Sequence, residues 1–196
     1  MNKVLALFDF DGTITHKDSM IEMIRYVHGD LKFISGLFIC APTILMFQLG
    51  LLDRQKAKER MLTYFFGGLS VEKFNEYCRS FSNEVLPRLV RSEAAKKIQW
   101  HRDNNHKLVL VSASPENWLF FWCYENCFIC ISTKLEVKDG YLTGKINGKN
   151  CYGSEKVGRV KEVLDLSEFS DIFAYGDTKG DNEILSLAKH RFYRSF

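Results

Sequence analysis

The chain has 196 residues, enough for one domain or for a core domain with a small second domain. Its apolar fraction of 46% is ordinary for a globular protein, and its formal net charge is only +3. Lysine and arginine are scattered rather than clustered, which argues against nucleic acid as the main partner. Asp9 and Asp11 interrupt the first apolar run, so this run does not read as a cleavable signal peptide.

The first element of the chain is a short apolar run, residues 3–8, that predicts a buried β-strand. Asp9 and Asp11 follow it directly, and Gly12 and Thr13 break the pattern. In an open α/β sheet the carboxyl ends of the strands are where ligands bind. Two neighbouring carboxylates there suit Mg²⁺, and an Asp can also act as a nucleophile. The alternative is a plain Asp-Gly turn.

A helical block follows this strand. Amphipathic spacing predicts helices over residues 18–28, 53–66 and 70–86, with Gly29 ending the first and Pro87 stopping the last. The stretch from Phe33 to Leu52 contains no charged residue, and it is long enough for a membrane span. Because Pro42 would break a continuous helix, we instead expect a buried or surface-associating helical hairpin.

The second half of the chain alternates between strands and helices, which predicts a parallel sheet that also includes the first strand. The helical block is then an insertion after that strand. Strands are expected at 107–111, 128–131 and 171–175, helices at 92–104, from Pro115 onwards, at 154–164 and after Asn182, and an Asp-Gly hairpin at 135–143.

Cysteine usage indicates a reducing compartment. Cys123, Cys127 and Cys130 account for half of the six cysteines and fall within eight residues, which is no secreted disulfide framework. We therefore expect a cytoplasmic protein. The same Cys-x3-Cys-x2-Cys spacing resembles that of radical S-adenosylmethionine enzymes, but it falls late in the chain and no glycine-rich cofactor motif follows. We interpret these cysteines as small buried hydrophobic residues.

Polar residues that suit phosphoryl transfer end three of the predicted strands or begin a helix. This chemistry needs an attacking carboxylate, a second group for the leaving-group proton, and cations and hydroxyls around the phosphoryl oxygens. The candidates are Asp9, Asp11, Ser112, Lys156, Asp177 and Asp181.

The order of these residues resembles the haloacid dehalogenase (HAD) superfamily of phosphatases. Asp9-Phe10-Asp11-Gly12-Thr13 matches the first motif, Ser112 the second, Lys156 the third, and Gly176-Asp177 with Asp181 the fourth. The insertion resembles the C1-type cap of the phosphoserine phosphatase-like branch, subfamily IB. The resemblance implies an α/β fold: a Rossmann-like catalytic core of residues 1–15 and 89–196, and an all-helical cap of residues 16–88, hinged near Thr15 and near residues 87–92.

The resemblance also implies a role for each core residue. Asp9 would be the nucleophile and a metal ligand, and Asp11 the general acid and base, with its backbone carbonyl on the metal. Asp177 would be a further Mg²⁺ ligand, and Asp181 would order metal-bound water. The remaining two, Ser112 and Lys156, would hold the phosphoryl oxygens.

The cap is expected to set specificity for a small phosphate ester. By position, Asp18 and Arg60 would bind the amino acid part of a phosphoserine-like substrate, although phosphoserine phosphatases usually carry Glu where this chain has Asp18. A lipid phosphate such as phosphatidylglycerophosphate is an alternative, because the apolar stretch from Phe33 to Leu52 could contact a membrane. Packing within the cap or a dimer contact is the favoured interpretation of that stretch. Phosphotransfer to an acceptor other than water and a binding role also stay open, as does the oligomeric state.

Overall fold

A computed structural model describes residues 3–196 of the chain. The strands are β1 (Lys3–Phe8), β2 (Lys107–Pro115), β3 (Ile129–Thr133), β4 (Leu135–Lys138), β5 (Tyr141–Ile146), β6 (Phe169–Gly176) and β7 (His190–Tyr193). The helices are α1 (Ser19–Gln48), α2 (Arg54–Phe66), α3 (Val71–Glu84), α4 (Leu86–Leu89), α5 (Ser92–Asp103), α6 (Glu116–Glu125), α7 (Ser154–Val163) and α8 (Asn182–Ser186). The predicted α/β fold is confirmed.

Within the described residues, five parallel strands form the main sheet in the order β3-β2-β1-β6-β7. Side chains of β1 alternate between its two faces, because successive residues of a strand point to opposite sides. Leu5 and Leu7 pack with residues of α7 and α8, whereas Ala6 and Phe8 pack with residues of α5 and α6. Both faces of this central strand are buried, which explains its uninterrupted apolar sequence.

The inserted helices α1 to α4 leave and rejoin the core at adjacent points. Thr15 pairs with Val90 in a β-bridge, and the Arg91 amide donates to the Ile14 carbonyl at 2.8 Å. The His16 amide donates to the carbonyl of Leu89, the last residue of α4. The outgoing and returning segments therefore run side by side, which is the arrangement that a hinged cap needs.

The apolar stretch of the insertion folds differently from the prediction. Asp18 caps α1 by accepting from the Ile21 amide at 3.1 Å, and Gly29 interrupts the helix with φ 75° and ψ 167°, as its position predicts. The expected hairpin between Phe33 and Leu52 is wrong, because helical structure continues through Gln48. Pro42 lies inside this helix on its exposed side, where its ring does not disturb the packing of the opposite side.

The hairpin of β4 and β5 packs on the inserted helices. The Gly68 amide donates to the Leu142 carbonyl at 2.8 Å, and the Leu142 amide donates back to the Leu69 carbonyl at 2.9 Å. Gly144, with φ +79°, lies so close to Thr63 of α2 that a Cβ has no room there. The hairpin therefore packs against α2 and the turn between α2 and α3.

Candidate active site

Three neighbouring strands deliver the predicted catalytic residues to one edge of the sheet. Asp9 follows β1 and Asp177 follows β6, while Ser112 lies in the carboxyl-terminal half of β2. Because β1 lies between β2 and β6 and all three run in parallel, their carboxyl ends meet. Lys156, in the first turn of α7, reaches the same point. The sequence-based expectation that these residues converge is met.

Lys156 lies between two buried carboxylates. Its Nζ donates to Asp9 Oδ1 at 2.6 Å and to Asp181 Oδ1 at 2.6 Å. Burial raises the pKa of Asp9 to about 7, against the opposing effect of the Lys156 ammonium. Burial disfavours the charge of Lys156, but Asp9 and Asp181 outweigh it and hold the pKa of this ammonium above its ordinary value. This lysine is therefore a permanent cation beside the predicted nucleophile.

Three carboxylates form a candidate metal centre. Oxygens of Asp9, Asp177 and Asp181 lie within 4.8 Å of one another. Thr13 Oγ1 lies 3.2 Å from Asp9 Oδ2 and 3.1 Å from Asp177 Oδ1, so its proton can be donated to either carboxylate. Gly12, with φ +86°, lies against the Asp177 carboxylate, where a Cβ has no room. Clustered carboxylate oxygens are the donors that Mg²⁺ prefers, so the residues present fit this ion.

Asp181 differs from Asp177 because both of its carboxylate oxygens already accept hydrogen bonds. Oδ1 accepts from Lys156, and Oδ2 accepts from the Thr178 amide at 3.0 Å and the Thr178 hydroxyl at 2.8 Å. The Asp177 amide also points to Oδ2, at 3.3 Å. Asp181 therefore fixes the loop that carries Asp177, and it positions Lys156.

Asp11 is held by residues of both the core and the cap. Ser114 Oγ donates to its Oδ2 at 2.5 Å, and the Ser19 amide donates to its Oδ1 at 2.6 Å. Trp118 Nε1 donates to Ser19 Oγ at 3.1 Å, which fixes this serine in turn. Burial, with the nearby Asp18 carboxylate as the next contribution, raises the pKa of Asp11 to about 6. A carboxyl group with such a pKa suits a general acid that later acts as a base.

Ser112 is buried at the bottom of the site, and its Oγ accepts from the Ser114 amide at 3.0 Å. The hydroxyl keeps its own proton for another acceptor, as the predicted phosphate-binding role requires. Sequence analysis did not single out Thr13, Ser19 or Ser114 for a role, although Thr13 belongs to the first motif. Contacts between segments distant in the chain give Ser19 and Ser114 their function, and no local pattern predicts them.

The catalytic residues open into a cavity of about 440 Å³ between core and cap. Asp9, Asp11, Ser112 and Lys156 line its polar end. The cap contributes mainly apolar side chains to its walls, among them Met20, Ile21, Leu37, Ile44, Phe47 and Met61. The cavity therefore has polar core residues at one end and mainly apolar side chains of the inserted helices along its walls.

The cap residues predicted to bind substrate do not both reach this cavity. Asp18 lines it, but Arg60 lies outside, where its guanidinium is 3.9 Å from Met46 Sδ. The prediction for Arg60 is therefore not supported. Helix spacing alone could not have revealed which side of α2 faces the core. Arg54 and Lys58 of the same helix line the cavity instead.

Both of these cations contact the core. Lys58 Nζ donates to the Ala113 carbonyl at 2.5 Å and to Asn150 Oδ1 at 3.4 Å. Burial lowers the pKa of Lys58 to about 8, although the Asp11 and Asp18 carboxylates favour its charge. The Arg54 guanidinium lies 4.3 Å from the centre of the Tyr152 ring, a cation–π contact. Helix α2 therefore contacts both β2 and the segment that precedes α7.

A family model for haloacid dehalogenase-like hydrolases matches residues 6–186, nearly the whole chain. The chain belongs to the haloacid dehalogenase-like hydrolase family. This HAD chain is 32% identical to Protein CicA of Caulobacter vibrioides over 195 residues, which cover 98% of the chain and 86% of that relative.

Solved structures share the fold of this HAD protein. A protein of unknown function from Bordetella pertussis Tohama I superposes with a TM-score of 0.81 at 22% identity, covering 96% of this chain and 88% of that one. A phosphoserine phosphatase, solved as a phospho-aspartyl intermediate analogue, superposes with a TM-score of 0.66 at 19% identity, covering 96% and 84%. The predicted membership in this superfamily is confirmed.

Proposed function

We propose that this HAD protein is a Mg²⁺-dependent phosphatase that hydrolyses a phosphate monoester through an aspartyl-phosphate on Asp9. The observation that carries the proposal is the convergence of the Asp9 and Asp11 carboxyl groups, the buried Lys156 ammonium and a carboxylate cluster beside one cavity. The shared fold of phosphoserine phosphatases supports it.

In the first half of the reaction, an oxygen of Asp9 attacks the phosphorus and the ester P–O bond breaks. The leaving oxygen takes the proton of Asp11, whose raised pKa keeps that proton available near neutral pH. Lys156 and Ser112 hold the phosphoryl oxygens as negative charge builds up on them. The products are an alcohol and an acyl phosphate on Asp9.

In the second half, the Asp11 carboxylate accepts a proton from a water molecule that attacks the phosphorus. The acyl phosphate P–O bond breaks, which releases inorganic phosphate and regenerates Asp9 and protonated Asp11. Ser19 and Ser114 keep the Asp11 carboxyl group aimed at the same place in both steps.

The carboxylates of Asp9 and Asp177, with the backbone carbonyl of Asp11, would hold Mg²⁺. When bound, this ion would neutralise negative charge on the phosphoryl group and on the carboxylates around it. Asp181 would order metal-bound water, while its direct contacts hold Lys156 and the Asp177 loop.

The cavity walls favour a phosphate ester with an apolar portion over phosphoserine. Phosphoserine would leave the methionine, leucine and phenylalanine side chains of the cap without an apolar partner, because its ammonium and carboxylate lie close to its phosphate. Asp18 and Lys58 could bind such groups only close to the catalytic end. A lipid phosphate is thus the second candidate, with its phosphate on Asp9 and an acyl chain against α1. Comparing the hydrolysis of phosphoserine with that of a short-chain phosphatidylglycerophosphate separates these two substrates.

We also propose that residues 16–88 form a cap that opens for substrate and closes to exclude bulk water. The adjacent connections at Thr15 and Val90 support this division. All six cysteines are free thiols, which is what a cytoplasmic location requires.

The decisive experiment measures phosphate release from p-nitrophenyl phosphate with Mg²⁺ and with a chelator. We expect activity that chelation removes and Mg²⁺ restores. Asp9→Asn should lower the rate by roughly a thousandfold or more, because an amide is not a nucleophile for phosphorus. Asp103→Asn makes the same change at an exposed helix end and should leave the rate unchanged. Retained hydrolysis by a folded Asp9→Asn protein would exclude the mechanism.

A further inference from the structure

The part of α1 that follows Gly29, together with the turn after Gln48, presents an apolar surface to solvent. Leu31, Phe38 and Leu51 expose 88%, 76% and 70% of their surface. Most of its members recur every three or four residues, so they lie on one side of the helix. The surface, here called the outer face, consists of Leu31, Ile34, Phe38, Ile39, Leu45, Leu49 and Leu51.

The opposite side of the same helix is also apolar, but it is covered. Gly36, Cys40 and Thr43 are buried, and Leu37 and Ile44 line the catalytic cavity. A helix that is apolar all round is ordinarily buried on all sides. In this protein only one side is covered, so the outer face is a large exposed apolar patch of the kind that marks an interaction site.

The charges around the outer face suit an anionic partner. No charged residue occurs between Phe33 and Leu52, and two exposed cations lie beside this segment: Lys32 precedes it, and the Arg60 guanidinium is 3.9 Å from Met46 Sδ of the same helix. The acidic residues next to the segment, Asp30 and Asp53, form ion pairs within the chain at 2.6 and 3.4 Å. An apolar helical side flanked by lysine and arginine matches the boundary between acyl chains and anionic headgroups.

We propose that the outer face docks on the surface of an anionic lipid bilayer, with this segment of α1 lying in the plane of the interface. Between residues 33 and 52, the exposed side chains that could form hydrogen bonds with a partner are those of Ser35 and Gln48. Protein interfaces, by contrast, carry about one hydrogen bond per 100–200 Å². The same helix separates the bilayer from the catalytic cavity. Docking at this position would bring the cavity close to lipid substrates, and that consequence rests on the proposed phosphatase function. The docking itself does not rest on it.

The test is co-sedimentation of the protein with vesicles of phosphatidylglycerol and phosphatidylcholine, and with vesicles of phosphatidylcholine alone. We expect the protein to sediment with the anionic vesicles. The double substitution Phe38→Glu, Leu45→Glu should weaken this binding at least about 30-fold, because it places two charges in the apolar interface. The control is Tyr124→Glu, Val163→Glu, which changes two exposed apolar residues elsewhere and should bind like the unmodified chain.

Hydrolysis of p-nitrophenyl phosphate and circular dichroism, measured on the same samples, separate docking from catalysis. Neither Phe38 nor Leu45 lines the cavity, so the double variant should keep its fold and its rate on this soluble ester. Vesicle binding without hydrolysis would overturn the proposed function and leave docking standing. Failure of the unmodified chain to bind the anionic vesicles would overturn the docking proposal. If the unmodified chain were instead a dimer and the double variant a monomer, the outer face would be the contact with a second copy.

Discussion

Thr13 shows how a single hydroxyl can organise the charges of the site. It is buried, and its Oγ1 lies within hydrogen-bonding distance of both Asp9 and Asp177. Two carboxylates this close repel each other, and in the free protein Lys156 contacts only one of them. The hydroxyl therefore helps to hold Asp177 beside Asp9 in the position that a shared cation needs.

We predict that Thr13→Val raises the Mg²⁺ concentration needed for half-maximal hydrolysis. The change keeps the shape of the side chain but removes a hydrogen bond to a charged group, worth about 1.5–3 kcal/mol. That corresponds to a loss of roughly 10-fold or more in activity at limiting Mg²⁺. The measurement is a Mg²⁺ titration of the steady-state rate.

Thr13→Ser is the matched control, because it retains the hydroxyl and should restore the normal Mg²⁺ dependence. A Thr13→Val protein with an unchanged Mg²⁺ titration and unchanged rate would show that this hydroxyl does not position the carboxylates.

Among the elements, α2 connects the cap to the catalytic loops. Gln55 Oε1 accepts from the Asn150 amide at 3.0 Å, and Glu59 Oε1 accepts from the Ile146 amide at 3.1 Å. Lys58 adds its bond to the Ala113 carbonyl, next to Ser112. Gln55 lies three residues before Lys58 and four before Glu59, so these contacts all come from one side of α2.

We predict that Lys58→Met lowers kcat/KM by roughly 10-fold, through loss of a charge-assisted hydrogen bond worth about 1.5–3 kcal/mol. Methionine preserves the apolar stem and removes a buried charge, so the free energy of unfolding should fall by less than that bond is worth. Hydrogen exchange of the α2 amides should become faster, since the cap is held less firmly in its closed position.

Lys56→Met provides the comparison for this variant. Lys56 is exposed on the same helix and pairs only with Asp53, so its loss should leave both kcat/KM and exchange unchanged. Equal effects of the two substitutions would mean that Lys58 acts through the charge of α2 and not through its contact with the core.

For the whole molecule, a buried histidine couples stability to pH. His101 of α5 is fully buried, and its Nε2 lies 2.9 Å from the hydroxyl of Tyr175 in β6. Burial lowers the pKa of His101 from 6.5 to about 3, with His106 and Lys97 adding to the effect. The folded protein therefore keeps this ring neutral at pH values where the unfolded chain binds a proton.

We predict that the free energy of unfolding falls as the pH drops below about 6.5, by about 1.4 kcal/mol per pH unit from this group. The folded state gains no proton here until about pH 3, so acid favours the unfolded chain throughout this window. His101→Asn should be less stable than the natural chain at neutral pH, yet lose less stability on acidification, by about 2 kcal/mol at pH 5.

Urea unfolding at pH 7 and pH 5 measures both effects. His190→Asn is the control, because this ring lies partly exposed at the edge of the sheet. Parallel pH dependence in the His101→Asn protein and the natural chain would show that His101 does not contribute to acid sensitivity.

The order of elements in this protein could be predicted because local signals agree with the tertiary fold. The apolar run before Asp9, the helix predicted from residue 18 and its break at Gly29 all act through backbone preferences that a short sequence window contains. The catalytic residues were predictable for a related reason. Parallel strands bring their carboxyl ends together whatever else the chain does, so Asp9, Ser112 and Asp177 had to meet.

Tertiary structure alone decided which cap residues face that site. The sequence of α2 offers several cations, and the docking of the helix selects Arg54 and Lys58 rather than Arg60. Helical structure continued through Pro42, although proline removes one backbone hydrogen bond of the helix. The sequence by itself thus determined the fold and the candidate catalytic residues, which depend on local preference and strand order. The shape of the cavity and the exposed outer face depend on packing between distant segments, which no local pattern records.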